Sequence, residues 1–144
     1  MQEVTKIPIL GSVPSLSTTI LGGTASENDL LVKSYAPYKR FGVLIEDDGM
    51  DTFGLCPGDY AVFREQRWPN MECQIILATF GDEATIRLLE GIYETEPTLR
   101  VAGDKIEPIT PHRNDFIILG ILDGIIKAEF AQLEHREEVF DWGC

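Results

Sequence analysis

Residues 41–63 read FGVLIEDDGMDTFGLCPGDYAVF, and the fold turns on how this stretch is parsed. Phe41 to Ile45 is an apolar run, Glu46 to Gly49 is an acidic turn carrying a lone Gly-Met, Pro57-Gly58-Asp59 is a tight turn, and Tyr60 to Phe63 is apolar again. Apolar, β-branched and aromatic runs bounded by turn residues predict two strands. The residue at the tip of the acidic turn then decides whether the chain can perform covalent chemistry.

Toward the N-terminus, Pro37 breaks any helix, so the first of these strands is expected to begin at Phe41. Residues 12–34 are rich in Ser, Thr and Gly, with Ile20, Leu21, Leu30, Leu31 and Val32 as anchors, which predicts a long surface arm containing at most an edge strand near Thr18 to Leu21. Before it, Ile7 to Leu10 is a small β-like piece ended by Gly11.

Toward the C-terminus, Trp68-Pro69-Asn70 is a turn signal, and CQIILATFGDEATIRLL, residues 73–89, is the clearest local structure in the sequence. Its two apolar runs flank Gly81-Asp82, the pattern of a type II′ hairpin, because glycine alone adopts positive φ there at little cost. Counting by twos puts Ala84, Ile86 and Leu88 on one face and Thr85, Arg87 and Leu89 on the other. A short strand is expected near Thr98 to Ala102, followed by a turn at Gly103-Asp104. DFIILGILDGIIKA, residues 115–128, with Gly120 and Gly124 inside it, reads as a long bent strand or two short ones. The tail, residues 131–144, has helix-compatible charges. The expected organisation is a lead-in and surface arm over residues 1–40, a β core over 41–130 and a tail over 131–144 whose composition permits a helix.

Charge narrows the function. A formal net charge of −12 repels a phosphate backbone, which disfavours nucleic-acid binding by this chain alone. Cysteines at 56, 73 and 144 make an odd count that fits a reducing cytosol better than a disulfide scaffold. With no basic n-region and no run of roughly 18 apolar residues, a soluble cytoplasmic chain is expected, without a membrane association.

The order of motifs carries a resemblance. IPILG near the start, a strand leading to Asp47-Asp48-Gly49-Met50, seven residues, then Gly58-Asp59-Tyr60-Ala61-Val62, the ILATFGDEATIRLL hairpin, Pro108-Ile109 and a terminal FIILGILDGII together resemble the C-terminal domain of LexA repressors and UmuD, a family of self-cleaving serine peptidases. The likeness covers residues 7–128. It implies a mainly β fold of bent, twisted sheets and a Ser-Lys dyad, the Ser preceding the Met of the turn and the Lys in the second arm of the hairpin. Carried onto this sequence, the nucleophile position is Gly49 and the base position is Arg87. Glycine has no side-chain oxygen, and arginine stays protonated where the mechanism needs a lysine driven toward neutrality. The family's scissile bond, usually Ala-Gly, falls near Ser15-Leu16, which does not match either. Nucleophile, base and cleavage sequence depart together, so a pseudo-peptidase is expected rather than an enzyme.

Competing readings stay open at this point. Gly49 is alternatively a plain turn glycine, and Thr52, Ser15 or Cys56 a displaced nucleophile in a working autopeptidase. His112 and His135 lack metal-ligand spacing, and the acidic cluster lacks an EF-hand pattern, so neither a metal nor any other cofactor is expected. If Arg87 stands where the base stood, an ion pair with Asp47, Asp48 or Asp51 is expected in place of the dyad. The apolar segment Phe116, Ile117, Ile118, Leu119, Ile121 and Leu122 is the expected homodimer interface. The resemblance implies two roles, a non-cleaving dimerisation domain of a transcriptional repressor of the SOS response to DNA damage, or a free-standing UmuD-like accessory protein that binds a polymerase or repair factor. In the first, DNA is reached only through a helix-turn-helix absent from this chain.

Overall fold

Phe41 and Phe63 face each other across an antiparallel pair, their rings stacked with centroids 5.5 Å apart, and the rest of the sheet is built around them. The computed structural model describes residues 4–33, 39–101 and 106–135. Its strands are β1 (Val4–Ser15), β2 (Thr18–Leu21), β3 (Asn28–Lys33), β4 (Arg40–Ile45), β5 (Tyr60–Arg64), β6 (Gln74–Phe80), β7 (Glu83–Glu90), β8 (Thr98–Arg100), β9 (Ile117–Ile126) and β10 (Leu133–His135). The fold is mainly β, as the motif order implied.

Pairing runs β1-β2-β7-β6-β9-β5-β4, and a parallel contact between β4 and β1 returns the sheet to its start. The sheet is thus a closed barrel. Side chains alternate across it. Val13, Phe41, Val43, Ile45, Ala61, Phe63, Leu77, Ala84 and Ile86 fill one cluster, with Leu55 from the turn. Their neighbours point to the opposite face and are covered in turn. Ile76, Ala78, Ile118 and Ile121 pack with Leu89, Ile92, Leu99 and Phe116, while Tyr60 and Val62 pack with Ile7, Ile9 and Leu30. This explains why β5 and β6 read as continuous apolar runs: both faces are buried.

The hairpin forms as expected, with Gly81 at φ 59 linking β6 and β7. The bent strand is also present as β9. Register slips at Leu77/Ala78 and Val62/Phe63 leave Leu119 and Asp123 unpaired as bulges beside the two glycines. Gly120 has a separate reason to lack a side chain, since a Cβ there would lie 2.8 Å from the Phe41 ring.

Two expectations are corrected. The N-terminal region is not a loose arm: β1 closes the barrel, burying Ile7, Ile9 and Val13, and β2 is flanked by both β1 and β7. Composition hid this because Pro8, Gly11 and Pro14 interrupt the apolar alternation of a strand that slips register at two places. In the tail, residues 133–135 are a strand paired with β3, since their backbone groups find partners on that edge and a helix too short to persist in water has none. Residues 136–144, like the turn expected at Gly103-Asp104, lie outside the described residues.

Candidate functional site

The acidic turn winds into a 3-10 helix, Asp48–Phe53, started by Asp47. Asp47 Oδ1 accepts the Gly49 N–H at 2.7 Å, a local bond that short acidic side chains make two residues along the chain. The same oxygen accepts the N–H of Leu16 at 3.1 Å. Leu16 opens the two-residue turn between β1 and β2, and it holds φ 50, a region that costs an L-residue about 1–2 kcal/mol. A hydrogen bond to a charged acceptor contributes about 1.5–3 kcal/mol, enough to offset that strain.

Gly49 sits directly against this loop. A Cβ at Gly49 would run into the Cα of Leu16 and lie 2.9 Å from its nitrogen. No residue other than glycine fits while the loop stays in place.

The far side of the loop is held by β7. Ser17 is buried; its carbonyl accepts the Ile86 N–H at 3.0 Å and its hydroxyl accepts from Thr85 Oγ1 at 3.0 Å. Arg87 Nε donates to Thr85 Oγ1 at 3.2 Å, and its Nη1 to the Leu99 carbonyl at 3.5 Å. A relay therefore runs from Arg87 through Thr85 to Ser17. Burial lowers the proton affinity of Arg87, but a guanidinium starts so high that it remains a cation and a donor.

The structure thus brings Gly49, Asp47, Thr85 and, through Thr85, Arg87 to residues 15–19, the segment that contains the cleavage-like Ser15 and Leu16. Arg87 is in none of the described ion pairs; its donors go to Thr85 and Leu99, while Asp47 is engaged by two backbone N–H groups. Ser15 is exposed, and Cys56 belongs to a separate turn capped by Asp59, whose Oδ2 accepts the Cys56 N–H at 3.0 Å. Ser17 and Thr85 escaped the sequence reading, and Asp47 entered it only as a partner expected for Arg87. Their signal was an Asp two residues before a turn glycine and a hydroxyl-rich stretch, which composition alone assigned to a solvated loop.

The expected interface residues divide. Phe116, Ile118 and Ile121 are buried within the protein itself, Leu119 and Leu122 are partly buried, and Ile117 is 65% exposed. Central pairing of β9 accounts for this: β6 and β5 both bond to it, though among the described residues Ile117, Ile118 and Gly120 pair with β6 alone.

No family model matches the chain. The LexA repressor of Carboxydothermus hydrogenoformans is 29% identical over 132 residues, 88% of this chain and 62% of the relative. The LexA repressor of Anaeromyxobacter dehalogenans strain 2CP-1 is 28% identical over 130 residues, 85% of this chain and 55% of the relative. The chain is LexA-like. The likeness spans most of its length but little more than half that of these relatives, and it agrees with the resemblance carried by the order of motifs. In this LexA-like chain the arrangement around Gly49 offers a peptide two faces of hydrogen-bonding groups and, at Gly49 itself, no oxygen to attack it.

Proposed function

We propose that this chain is the regulatory and dimerisation domain of a LexA-like transcriptional repressor that does not cleave itself. The observation that carries the reading is the contact of Gly49 with Leu16. The turn that would present a nucleophile presents hydrogen to a backbone that fills the space a side chain needs. Arg87 supports it, because a permanent cation bound to Thr85 cannot serve as a base. In this reading a helix-turn-helix outside these residues contacts DNA, consistent with a net charge of −12 that makes this domain a poor DNA ligand.

The test is incubation of the purified chain at alkaline pH, where self-cleavage through a deprotonated base would be favoured. A single intact mass is expected; two fragments divided near Ser15-Leu16 overturn the reading. Dimerisation is assigned to the first half of β9, where residues 117–120 have, among the described residues, a strand on one side only and Ile117 is exposed. Light scattering at micromolar concentration should report a dimer, and Ile117→Arg should shift it to monomer. A wild-type monomer under those conditions removes the dimerisation role.

A further inference from the structure

We propose that an open cleft along β7 receives the C-terminal end of a partner peptide, its terminal carboxylate on Arg87 and a basic residue farther upstream against Asp82 and Glu83. The cleft encloses about 730 Å3. Thr85 and Arg87 line it from the face of β7 opposite Ile86, whose side chain fills the barrel. Its walls are apolar, formed by Ile20, Phe80 and Ile109. Along β7 the cleft runs from Glu83 to Arg87 and stops where β8 pairs with Leu88. Four strand steps of about 3.3 Å separate those two residues, roughly 13 Å, which is the reach of about four extended residues. An occupant laid along the cleft has to end at Arg87, and this selects a terminal carboxylate over an acidic side chain in mid-chain.

Charge fixes the direction of the occupant. Arg87 is half-buried and takes part in none of the described ion pairs. Its two hydrogen bonds go to neutral oxygens, Thr85 Oγ1 at 3.2 Å and the Leu99 carbonyl at 3.5 Å. A guanidinium carries five N–H donors in a planar fork, so these bonds leave most of the fork unused. A cation drawn out of water without a counter-charge is costly, and burial already weakens the hold of Arg87 on its proton. A carboxylate accepting two parallel bonds from the fork relieves that cost. At the other end Asp82 and Glu83 are exposed and join none of the described ion pairs, so they repel a second anion and attract a base. Acid at Arg87, apolar residues in the middle and base at the hairpin tip is the order the cleft accepts.

The proposal goes beyond the repressor reading and does not depend on it. The probe is the peptide Lys-Val-Val-Ala with a free carboxyl, titrated into the nitrogen-15-labelled full chain and followed by backbone amide shifts. Saturable shifts of Thr18, Thr85 and Arg87 are expected at millimolar peptide or below. The same peptide with an amidated C-terminus should bind at least ~10-fold more weakly, the effect of losing hydrogen bonds to a charged group. In Arg87→Gln the acid and the amide should bind alike, a result that mere loss of stability does not produce. Replacing both Asp82→Asn and Glu83→Gln should weaken the lysine peptide and leave Ala-Val-Val-Ala unchanged. No shift at these three amides overturns the proposal. Equal binding of acid and amide to wild type overturns it too, a comparison that stands even where Arg87→Gln does not fold, and so does an acid that keeps its advantage in Arg87→Gln.

Discussion

Asp59 is 4% exposed, and burial alone would push its carboxyl pKa up. The Lys127 ammonium at 2.8 Å and the N–H groups of Cys56 and Ala128 outweigh that and hold the pKa below its ordinary value. A carboxyl whose folded pKa is depressed adds stability at neutral pH, and that stability is lost as the pH falls through the carboxylate range, below about 4. Denaturant titrations of wild type and Asp59→Asn should therefore converge in acid and separate by roughly 2–3 kcal/mol at pH 7, the asparagine variant being the weaker. At Gly120 a methyl group would press on the Phe41 ring. Gly120→Ala should cost about 1–3 kcal/mol as overpacking, read as a lower denaturation midpoint with an unchanged slope.

Among the elements, β6 and β7 were the most legible, because a Gly-Asp pair between two apolar runs fixes both the turn and the register. β9 was nearly as clear, its glycines marking where the bulges fall. β1 was not. It closes the barrel with a strand that contains two prolines and a glycine, and only its pairing partners reveal which of its residues face inward. The position of Gly49 was legible from motif order, but its contact with Leu16 was not, since residues 33 positions apart meet only once the barrel has closed. At this scale Val13→Ala is informative. Val13 is fully buried on β1, so the substitution should destabilise by about 2–3 kcal/mol, whereas a side chain on a surface arm would cost within ~0.5 kcal/mol.

In the whole molecule, seven strands form a ring in which each pairs with two neighbours, so removing one exposes two edges at once. Unfolding should be cooperative, with far-UV circular dichroism and tryptophan fluorescence giving coincident transitions; separated midpoints would show that the barrel and its outer strands melt independently. The net charge of −12 acts on every state of the chain but most on the compact one.

The outer strand β3 has a further consequence. It lies between β1 and β10, and Lys6 on one side reaches Glu134 on the other at 2.8 Å. The beginning and end of the described chain therefore run side by side across a single strand. Because β1 and β10 both run antiparallel to β3, they point the same way, and Val4 and His135 stand at opposite ends of that strand, beside Lys33 and Asn28. A circularly permuted protein, with its old ends joined by a linker long enough to run the length of β3 and new ends opened at Gly81-Asp82, should fold to the same barrel.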